Sequence, residues 1–131
     1  CGVANLYAAI GERLARAVCE RLKCPVDCRD LTLMTAREHG IVHRALELRP
    51  DTTVKLIERC DGLRRPERFA AMLDACACDF HGRGGHRGRP YPQRERLLAV
   101  LAAVRSVDAG AIARRVDDKS RIPAELHAAR V

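Results

Sequence analysis

Apolar residues recur three and four positions apart along most of this chain, which is the spacing of one face of an α-helix. The pattern is plain over Asn5–Lys23, where Leu6, Ile10 and Leu14 share a face, and no stretch shows the sustained alternation of a β-strand. Composition agrees, because hydrophobic residues make up 47% of the chain while aromatic residues make up only 3%. A core of Leu, Ala, Val and Ile suits helix packing better than a sheet sandwich. We therefore predict an all-α fold, a compact multi-helix domain without an internal repeat.

Prolines, glycines and aspartates mark the expected ends of these helices. Pro25 ends the first helix, and Asp27 caps the second, which passes a weak point at Gly40 and continues to Leu46. Pro50 starts the third helix. The later boundaries are Gly62 as a helix stop, Pro66 and Pro92 as helix starts, Asp108 as the cap of a short sixth helix and Pro123 at the start of the last.

Between the fourth and fifth helical patterns lies Asp79–Gln93, a stretch rich in glycine, proline and arginine. Its glycines and prolines interrupt the helical period, so we predict a long basic Gly/Arg loop between helices. Residues 80–96 hold five arginines and a single acid, Glu95. Arginine forks bind phosphate oxygens in pairs, and glycines let a backbone come close to a phosphate. The loop therefore predicts contact with a phosphorylated polymer, although such a charge run is as often a solvated surface.

The overall charge points the same way. A formal net charge of +7 and a pI near 9.4 indicate attraction to nucleic acid or to another anionic surface. No apolar run approaches the ~18 residues needed to span a bilayer, and no secretory signal opens the chain, so we expect no membrane partner and a cytoplasmic location. The seven cysteines would then stay reduced and serve mostly as small core residues. Because residue 1 is Cys and not Met, we expect a piece of a longer protein.

Two kinds of short pattern could hold a metal ion. His39 and His43 lie four apart on one helical face, but Gly40 stands where a metalloprotease helix has its catalytic glutamate. The cysteine pairs, which lack the spacing of a zinc knuckle, are Cys24 with Cys28 and Cys76 with Cys78. Histidines and thiols without a ligand role are the more frequent explanation. Since the chain also lacks a nucleotide-binding phosphate loop and a polymerase-type carboxylate pair, RNA binding is indicated more clearly than catalysis.

An ordered series of short motifs runs from Cys19 towards the end of the chain. It comprises Cys19-Glu20-Arg21-Leu22, Cys28-Arg29-Asp30-Leu31, Ala36-Arg37-Glu38-His39, His43-Arg44, Glu47-Leu48-Arg49-Pro50, Val54-Lys55-Leu56, Asp61, Arg64-Arg65-Pro66, Arg68, Cys76, Asp79, Gly82-Arg83 and Tyr91-Pro92-Gln93. The series resembles the C-terminal half of bacterial multifunctional CCA-adding enzymes, the tRNA nucleotidyltransferases. The order of the motifs is far more specific than any one of them.

The resemblance implies a family in which an N-terminal polymerase head adds cytidine, cytidine and adenosine to the tRNA 3′ end. Helical parts that hold the tRNA follow, with an HD domain, a metal-dependent hydrolase that would use Mg²⁺ or Ni²⁺ in the complete enzyme. In this chain His39 and Asp61, and His43 less clearly, match the family's metal ligands. The family's His-Asp pair would lie upstream, and Tyr7–Glu12 replaces its Gly-His-Glu stretch. We therefore expect no tightly bound metal, a partial HD-like region over residues 1–62 and a C-terminal helical tail over residues 63–131.

On this resemblance the chain is a tRNA-binding helical module involved in tRNA processing. It would lack the transferase head and would be inactive by itself. The predicted phosphate contacts are Arg64, Arg65, Arg68, Arg83, Arg87 and Arg89. Tyr91 would stack on a base or sugar, although a tyrosine between prolines is more often a packing anchor.

Three alternatives stay open at this point. The chain could be a divergent HD-type phosphohydrolase, which bound metal would reveal. It could be a non-catalytic interaction piece that forms a homodimer, with a seam that Leu97, Leu98 and Leu101 could supply. It could also be a truncated gene product without a selected function.

Overall fold

The computed structural model describes the backbone of residues 2–131 and the side chains of residues 8–131. That part of the chain is all-α, as predicted, and contains no β-strand. Cys1 and the side chains of Leu6 and Tyr7 lie outside the described residues. The helices are α1 (Gly2–Arg21), α2 (Val26–Val42), α3 (Pro50–Arg59), α4 (Pro66–Gly82), α5 (Pro92–Arg105), α6 (Ala109–Arg115) and α7 (Ile122–Arg130), with short 3₁₀ helices at Ala45–Glu47 and Lys119–Arg121. None of the helices described is both long and apolar enough to cross a bilayer.

Most helix ends follow the predicted signals. Proline occupies the first turn of α3, α4, α5 and α7, where its missing N–H has no helical partner to lose. Asp108 caps α6, since its side chain accepts a hydrogen bond from the backbone N of Ala111 at 2.9 Å. Local sequence therefore determines where these helices begin.

The second helix differs from its prediction at both ends. The predicted cap, Asp27, lies inside the first turn of α2, where its charge complements the helix dipole. The residue at the N-cap position is Pro25, which forms no side-chain cap. Gly40 sits within the helix, which ends at Val42. Leu46 falls in the following 3₁₀ turn with 55% of its surface exposed. The apolar period continued past the helix end, so the predicted boundary at Leu46 is wrong.

Helix α4 lies at the centre of the core, between α2 and α5. Its side chains Phe69, Met72, Leu73 and Cys76 are fully buried. They form one cluster with residues of α2, α3 and α5, among them Met34, Val42, Leu56, Ile57, Leu97 and Leu101. The cluster draws on both sides of the predicted 62/63 boundary, which itself stays a prediction.

The turn between α3 and α4 shows why glycine is needed at position 62. A Cβ there would meet side-chain atoms of Ile57 and Phe69 at 3.2 Å, closer than a packed core tolerates without movement. The predicted helix stop at Gly62 is nevertheless late by three residues, since α3 ends at Arg59. The left-handed residue of the turn is Asp61, with φ of 54°. Aspartate is among the few non-glycine residues that enter this region at modest cost.

The predicted dimer seam is wrong. Leu97 is fully buried and Leu101 is 4% exposed, and both belong to the core, with Leu98 packed against it. Exposed apolar residues lie instead on α1, which packs against α2. They are Ile10, Leu14 and Val18, and Leu22 directly after the end of α1 is exposed as well.

The cysteines of residues 8–131 are free, and only half of them serve the core. Cys19, Cys60 and Cys76 are buried, whereas Cys28 and Cys78 are exposed. Burial raises the pKa of Cys60 and of Cys76 to about 12, so both remain neutral thiols.

Candidate nucleic-acid interface

The basic loop is shorter than the sequence suggested. Helix α4 runs through Gly82 and α5 begins at Pro92, so Asp79–Gly82 is helical and the loop comprises residues 83–91. Two successive turns shape it, closed by hydrogen bonds from the backbone N of His86 to the O of Arg83 and from the N of Arg89 to the O of His86, each 3.1 Å. Gly85 and Gly88, with φ of 79° and 78°, fill the third position of each turn, which requires a left-handed backbone.

Aromatic rings attach the loop to the end of α4. The ring centroid of Phe80 lies 4.6 Å from that of His86 and 5.0 Å from that of Tyr91. His81 Nε2 lies 2.9 Å from the carbonyl O of Arg89. The loop is therefore anchored at both of its ends and in the middle.

The three loop arginines differ in their partners. Arg83 forms a 2.6 Å ion pair with Asp79, one helical turn earlier on α4. Arg87 and Arg89 are exposed and form no ion pair with any residue of the described chain. Arg87 and Arg89 consequently have more unengaged N–H donors for a phosphate than Arg83 has.

His43 connects α2 to the start of the loop. Its Nε2 donates to Asp79 at 2.9 Å, and its Nδ1 shares a 2.8 Å hydrogen bond with the hydroxyl of Tyr91. Burial would raise the pKa of Asp79, but the hydrogen bonds from His43 and Arg83 hold it below its usual value. This network joins residues 36 and 48 positions apart, so no local sequence pattern announces it.

Tyr91 is a packing anchor, the alternative considered above. Its ring is 7% exposed and belongs to the core, and burial raises the pKa of its hydroxyl. In this position no ring face is open for a base, so the predicted stacking of Tyr91 has no support in the geometry.

The remaining predicted arginines lie at the other end of α4. The seventeen residues of α4, about 25 Å, separate Arg64 and Arg65 from the loop, and all but its first turn separates Arg68 from the loop. Asp61 binds Arg64 at 3.4 Å and Arg65 at 3.8 Å, and Arg68 lies 4.0 Å from Asp30. The structure therefore divides the predicted phosphate contacts into two separate groups.

Arg68 also lines a cleft between α1, α2, α3 and the start of α4. Its volume is about 240 Å³. The cleft is lined by Glu12 and Arg16 of α1, Asp30, Leu33, Met34 and Arg37 of α2, Arg59, Cys60 and Asp61 at the end of α3, and Arg68. Four guanidinium groups from four helices thus meet at one opening.

The nearest buried charge is Glu38, which is 3% exposed. It accepts hydrogen bonds from Arg37 Nε at 2.8 Å and from Arg59 Nε and a terminal nitrogen at 2.9 and 2.7 Å. Burial alone would raise the pKa of Glu38, but the hydrogen bonds from Arg59 and Arg37 outweigh it and lower the pKa. Glu38 is therefore ionised at neutral pH and fixes both arginines beside the cleft.

The sequence is similar to a group of curated bacterial proteins that share one description, multifunctional CCA protein. The relative from Aromatoleum aromaticum is 64% identical over 117 residues, which are 89% of this chain. The relative from Azoarcus is 62% identical over 118 residues, and the one from Chromobacterium violaceum is 57% identical over 113 residues. This chain is related to the multifunctional CCA proteins. The resemblance predicted from the short motifs is confirmed.

The chain spans about 29% of the length of the first two multifunctional CCA proteins it matches. The matched segment covers nine-tenths of the chain, so it includes the loop, the cleft and the helix that joins them. No family model matches the sequence, and no solved structure does.

The residues predicted to bind a metal do not form a site for one. His39 and Asp30 lie nine residues apart on α2, about half a turn out of phase, so His39 faces away from the cleft that Asp30 and Asp61 line. The Nδ1 of His39 lies 3.0 Å from the carbonyl O of Ala36, and its ring packs near His43 instead. In residues 8–131 no three His, Cys, Asp or Glu side chains are placed to hold an ion. Within residues 8–131, His39 and Asp61 therefore do not meet as ligands of one Mg²⁺ or Ni²⁺ ion.

Proposed function

We propose that this chain is the C-terminal helical part of a CCA-adding tRNA nucleotidyltransferase, and that it binds tRNA through the loop of residues 83–91. The addition of CCA to tRNA would belong to the longer protein. The observation that carries the proposal is the pair Arg87 and Arg89, on an anchored loop of a chain related to multifunctional CCA proteins. Both side chains are exposed and form no ion pair with residues 8–131.

The chemistry of the loop suits a phosphate backbone. Each guanidinium group offers five N–H donors in a planar fork and stays charged at every physiological pH. The turns at Gly85 and Gly88 hold Arg87 between two fixed points, His86 and Arg89, so little conformational freedom would be lost on binding. Such contacts position an RNA without reading its sequence.

Arg83 has a different part in this proposal. Its pair with Asp79 and the neighbouring His43 ties the loop to α2 and α4, so Arg83 orients the loop more than it contacts RNA. Removal of Arg83 should therefore disturb the loop, whereas removal of Arg87 or Arg89 should only remove charge.

The test is a titration of the chain with tRNA and with an unstructured RNA of equal length, at two salt concentrations. For Arg87→Ala with Arg89→Ala we expect weaker binding to tRNA and a salt slope lower by about two, one unit for each lost contact. The matched control is Arg114→Ala with Arg115→Ala on α6, which removes the same charge from exposed positions outside the loop.

If both double variants lowered the slope equally, binding would depend on net charge alone and the loop would not be the interface. Equal affinity of the original chain for tRNA and for the unstructured RNA would also contradict a tRNA-holding module. His39 and Asp61 lie on different surfaces, which argues against a metal-dependent phosphohydrolase site built from these two residues.

A further inference from the structure

Three cysteines lie around the turn that joins α1 to α2, and the proposed RNA interface does not use them. Cys19 lies in the last turn of α1, Cys24 in the connecting turn and Cys28 in the first turn of α2. Their exposure rises along the chain, because Cys19 is 5% exposed, Cys24 is half-buried and Cys28 is exposed. All three are free thiols, so one short segment offers a buried, an intermediate and an open sulfur.

The backbone of this turn places Cys24 against Cys19. The backbone N of Cys24 donates to the O of Cys19 at 2.9 Å. The N of Lys23 donates to the O of Glu20 at 3.1 Å, and Lys23 has a left-handed φ of 51°. This is the Schellman pattern of helix ends, in which the residue after the left-handed one packs against the last part of the helix. The bonds that join the Cα atoms of Cys19 and Cys24 keep them at most about 7 Å apart, the limit that a disulfide can span.

The side chains of Cys19 and Cys24 are also in contact. Burial raises the pKa of Cys24, a hydrogen bond with the thiol of Cys19 raises it further, and the charges that Cys19 and Cys28 carry as thiolates add to the effect. Two sulfurs in hydrogen-bond contact need little movement to form a covalent bond, since the turn already holds their Cα atoms within disulfide range. Cys28 also acts on Cys24, so it is the alternative partner that a test must exclude.

We propose that Cys19 and Cys24 form a reversible dithiol–disulfide site, which closes by exchange with a small-molecule disulfide such as oxidised glutathione. The thiolate of Cys24 attacks one sulfur of the small disulfide and releases the first glutathione as a thiolate. The thiolate of Cys19 then attacks the sulfur of Cys24, the new S–S bond forms, and the second glutathione leaves as a thiolate. The protons of the two cysteines pass to these leaving groups, so two protein thiols are oxidised and one small disulfide is reduced to two thiols.

The order of attack follows from exposure. A dissolved disulfide can reach the half-buried Cys24, whereas the buried Cys19 is reached through its contact with Cys24. Cys78 provides a contrast within the same chain, because it is exposed on α4 while Cys76, two residues earlier, is buried on another side of that helix. Cys78 should therefore stop at the mixed disulfide with glutathione. The bond between Cys19 and Cys24 would fix the turn and with it the end of α1.

The test is to incubate the whole chain with oxidised glutathione, block the remaining thiols with an alkylating reagent and map the disulfides by mass spectrometry after digestion with trypsin. Cleavage after lysine and arginine gives a peptide of residues 17–21 with Cys19 and a peptide of residues 24–29 with Cys24 and Cys28. We expect these two peptides to be joined in a sample that has the mass of one chain before digestion. A closed loop within residues 24–29 would instead identify a bond between Cys24 and Cys28.

Two matched substitutions identify the sulfurs. Cys24→Ser should abolish the link between the peptides, whereas Cys28→Ser should retain it. Phenylarsine oxide gives a second measurement that needs no oxidant, because one trivalent arsenic bonds to two thiols with release of one water. Cys24→Ser should weaken binding of the arsenical to the reduced chain by roughly a hundredfold, since one arm of a two-point contact is lost, and Cys28→Ser should not change it.

Serine at the half-buried position 24 should leave the fold intact, which circular dichroism of Cys24→Ser would check. The proposal is wrong if oxidation stops at mixed disulfides, if the only link is between Cys24 and Cys28, or if Cys28→Ser removes the link between the peptides. It is also wrong if the reduced chain and Cys24→Ser bind the arsenical equally well.

Discussion

The two ends of α4 each carry three arginines, yet the structure engages them differently. At the start of the helix, all three lie within 4.0 Å of a carboxylate. At the loop, only Arg83 has such a partner, and Arg87 and Arg89 have none among the described residues. The same residue type therefore forms a structured cleft at one end and an open cationic surface at the other.

This difference suggests two ways of using positive charge. Unpaired arginines on an exposed loop can follow the phosphates of a polymer, where each contact adds a similar amount to affinity. Arginines from four helices converge on the cleft, and a buried carboxylate, Glu38, fixes two of them, Arg37 and Arg59. RNA affinity and the stability of the cleft should therefore respond to different substitutions.

The largest effect that would test this comparison is expected at Glu38. Glu38→Gln keeps the shape of the side chain but removes the charge that Arg37 and Arg59 share. Because the carboxylate is 3% exposed while its partners are about half exposed, we expect a loss of about 2–3 kcal/mol in the free energy of unfolding, measured by urea denaturation. The pKa of Glu38 is lowered in the folded state, so the difference in the free energy of unfolding between this variant and the original chain should be complete above pH ~4.3. The difference should disappear as the pH falls through the pKa of the folded state.

The matched control lies at the loop end of the helix. Asp79→Asn removes the carboxylate that Arg83 and His43 share, but that side chain is 47% exposed. Solvent screening should limit the loss to about 0.5 kcal/mol. Equal losses at Glu38 and Asp79 would show that the cleft is no better organised than the loop.

In the loop, a smaller effect on stability is expected for a substitution at Gly88. Gly88→Ala places a side chain where φ is 78° but where no atom lies within 4 Å of the new Cβ, so the cost is backbone strain alone, about 1–2 kcal/mol. Distortion of the turn should weaken RNA binding severalfold, which the same titration with tRNA would measure.

Gly84→Ala is the corresponding control in the same loop, because position 84 also has open space but does not have a positive φ. Its stability and RNA affinity should match those of the original chain. If Gly84→Ala and Gly88→Ala behaved alike, the loop would not present its arginines through a defined turn.

Secondary structure was accessible from the sequence because its signals are local. Pro50, Pro66, Pro92 and Asp108 act on their own helix turns, and each stands where it was expected to stand. The apolar period over Leu31–Leu46 was misleading beyond Val42, since it continues across a 3₁₀ turn that exposes Leu46. Period alone cannot distinguish a helix end from a helix that goes on.

The candidate sites were harder to predict because they depend on partners from distant segments. Arginine spacing identified both basic groups, but nothing near Arg68 indicates that Asp30, 38 residues earlier, lies 4.0 Å away. His39 and Asp61 fit a family motif in sequence, yet α2 directs His39 away from the cleft. Which charges remain free is a property of the packed helices.

The smallest effect is expected where α7 meets α3, a third place where a basic side chain shares carboxylates. His127 lies 2.9 Å from Asp51 through Nε2 and 3.0 Å from Glu58 through Nδ1, so both ring nitrogens donate and the imidazolium is favoured. The hydrogen bonds to Asp51 and then Glu58 raise the pKa of His127. The contribution of protonated His127 to stability should be complete below its pKa in the unfolded chain, about 6.5. That contribution should be lost as the pH rises through the raised pKa of the folded state.

Hydrogen exchange of the α7 amides, followed from pH 5 to 9 after correction for the intrinsic rate, should therefore show faster opening of α7 at high pH. Arg130 keeps its 3.1 Å pair with Glu58 over that whole range, so α7 should loosen without detaching. His127→Gln should remove the pH dependence and leave α7 as loose at pH 5 as the original chain is at pH 9. Persistence of the pH dependence in this variant would mean that another group controls α7. The arginines of the cleft stay charged at every pH of this range, whereas His127 can lose its charge. A change of pH alone therefore weakens the contact of His127 with Asp51 and Glu58, and it tests the effect of carboxylate sharing without a change in the amino-acid sequence.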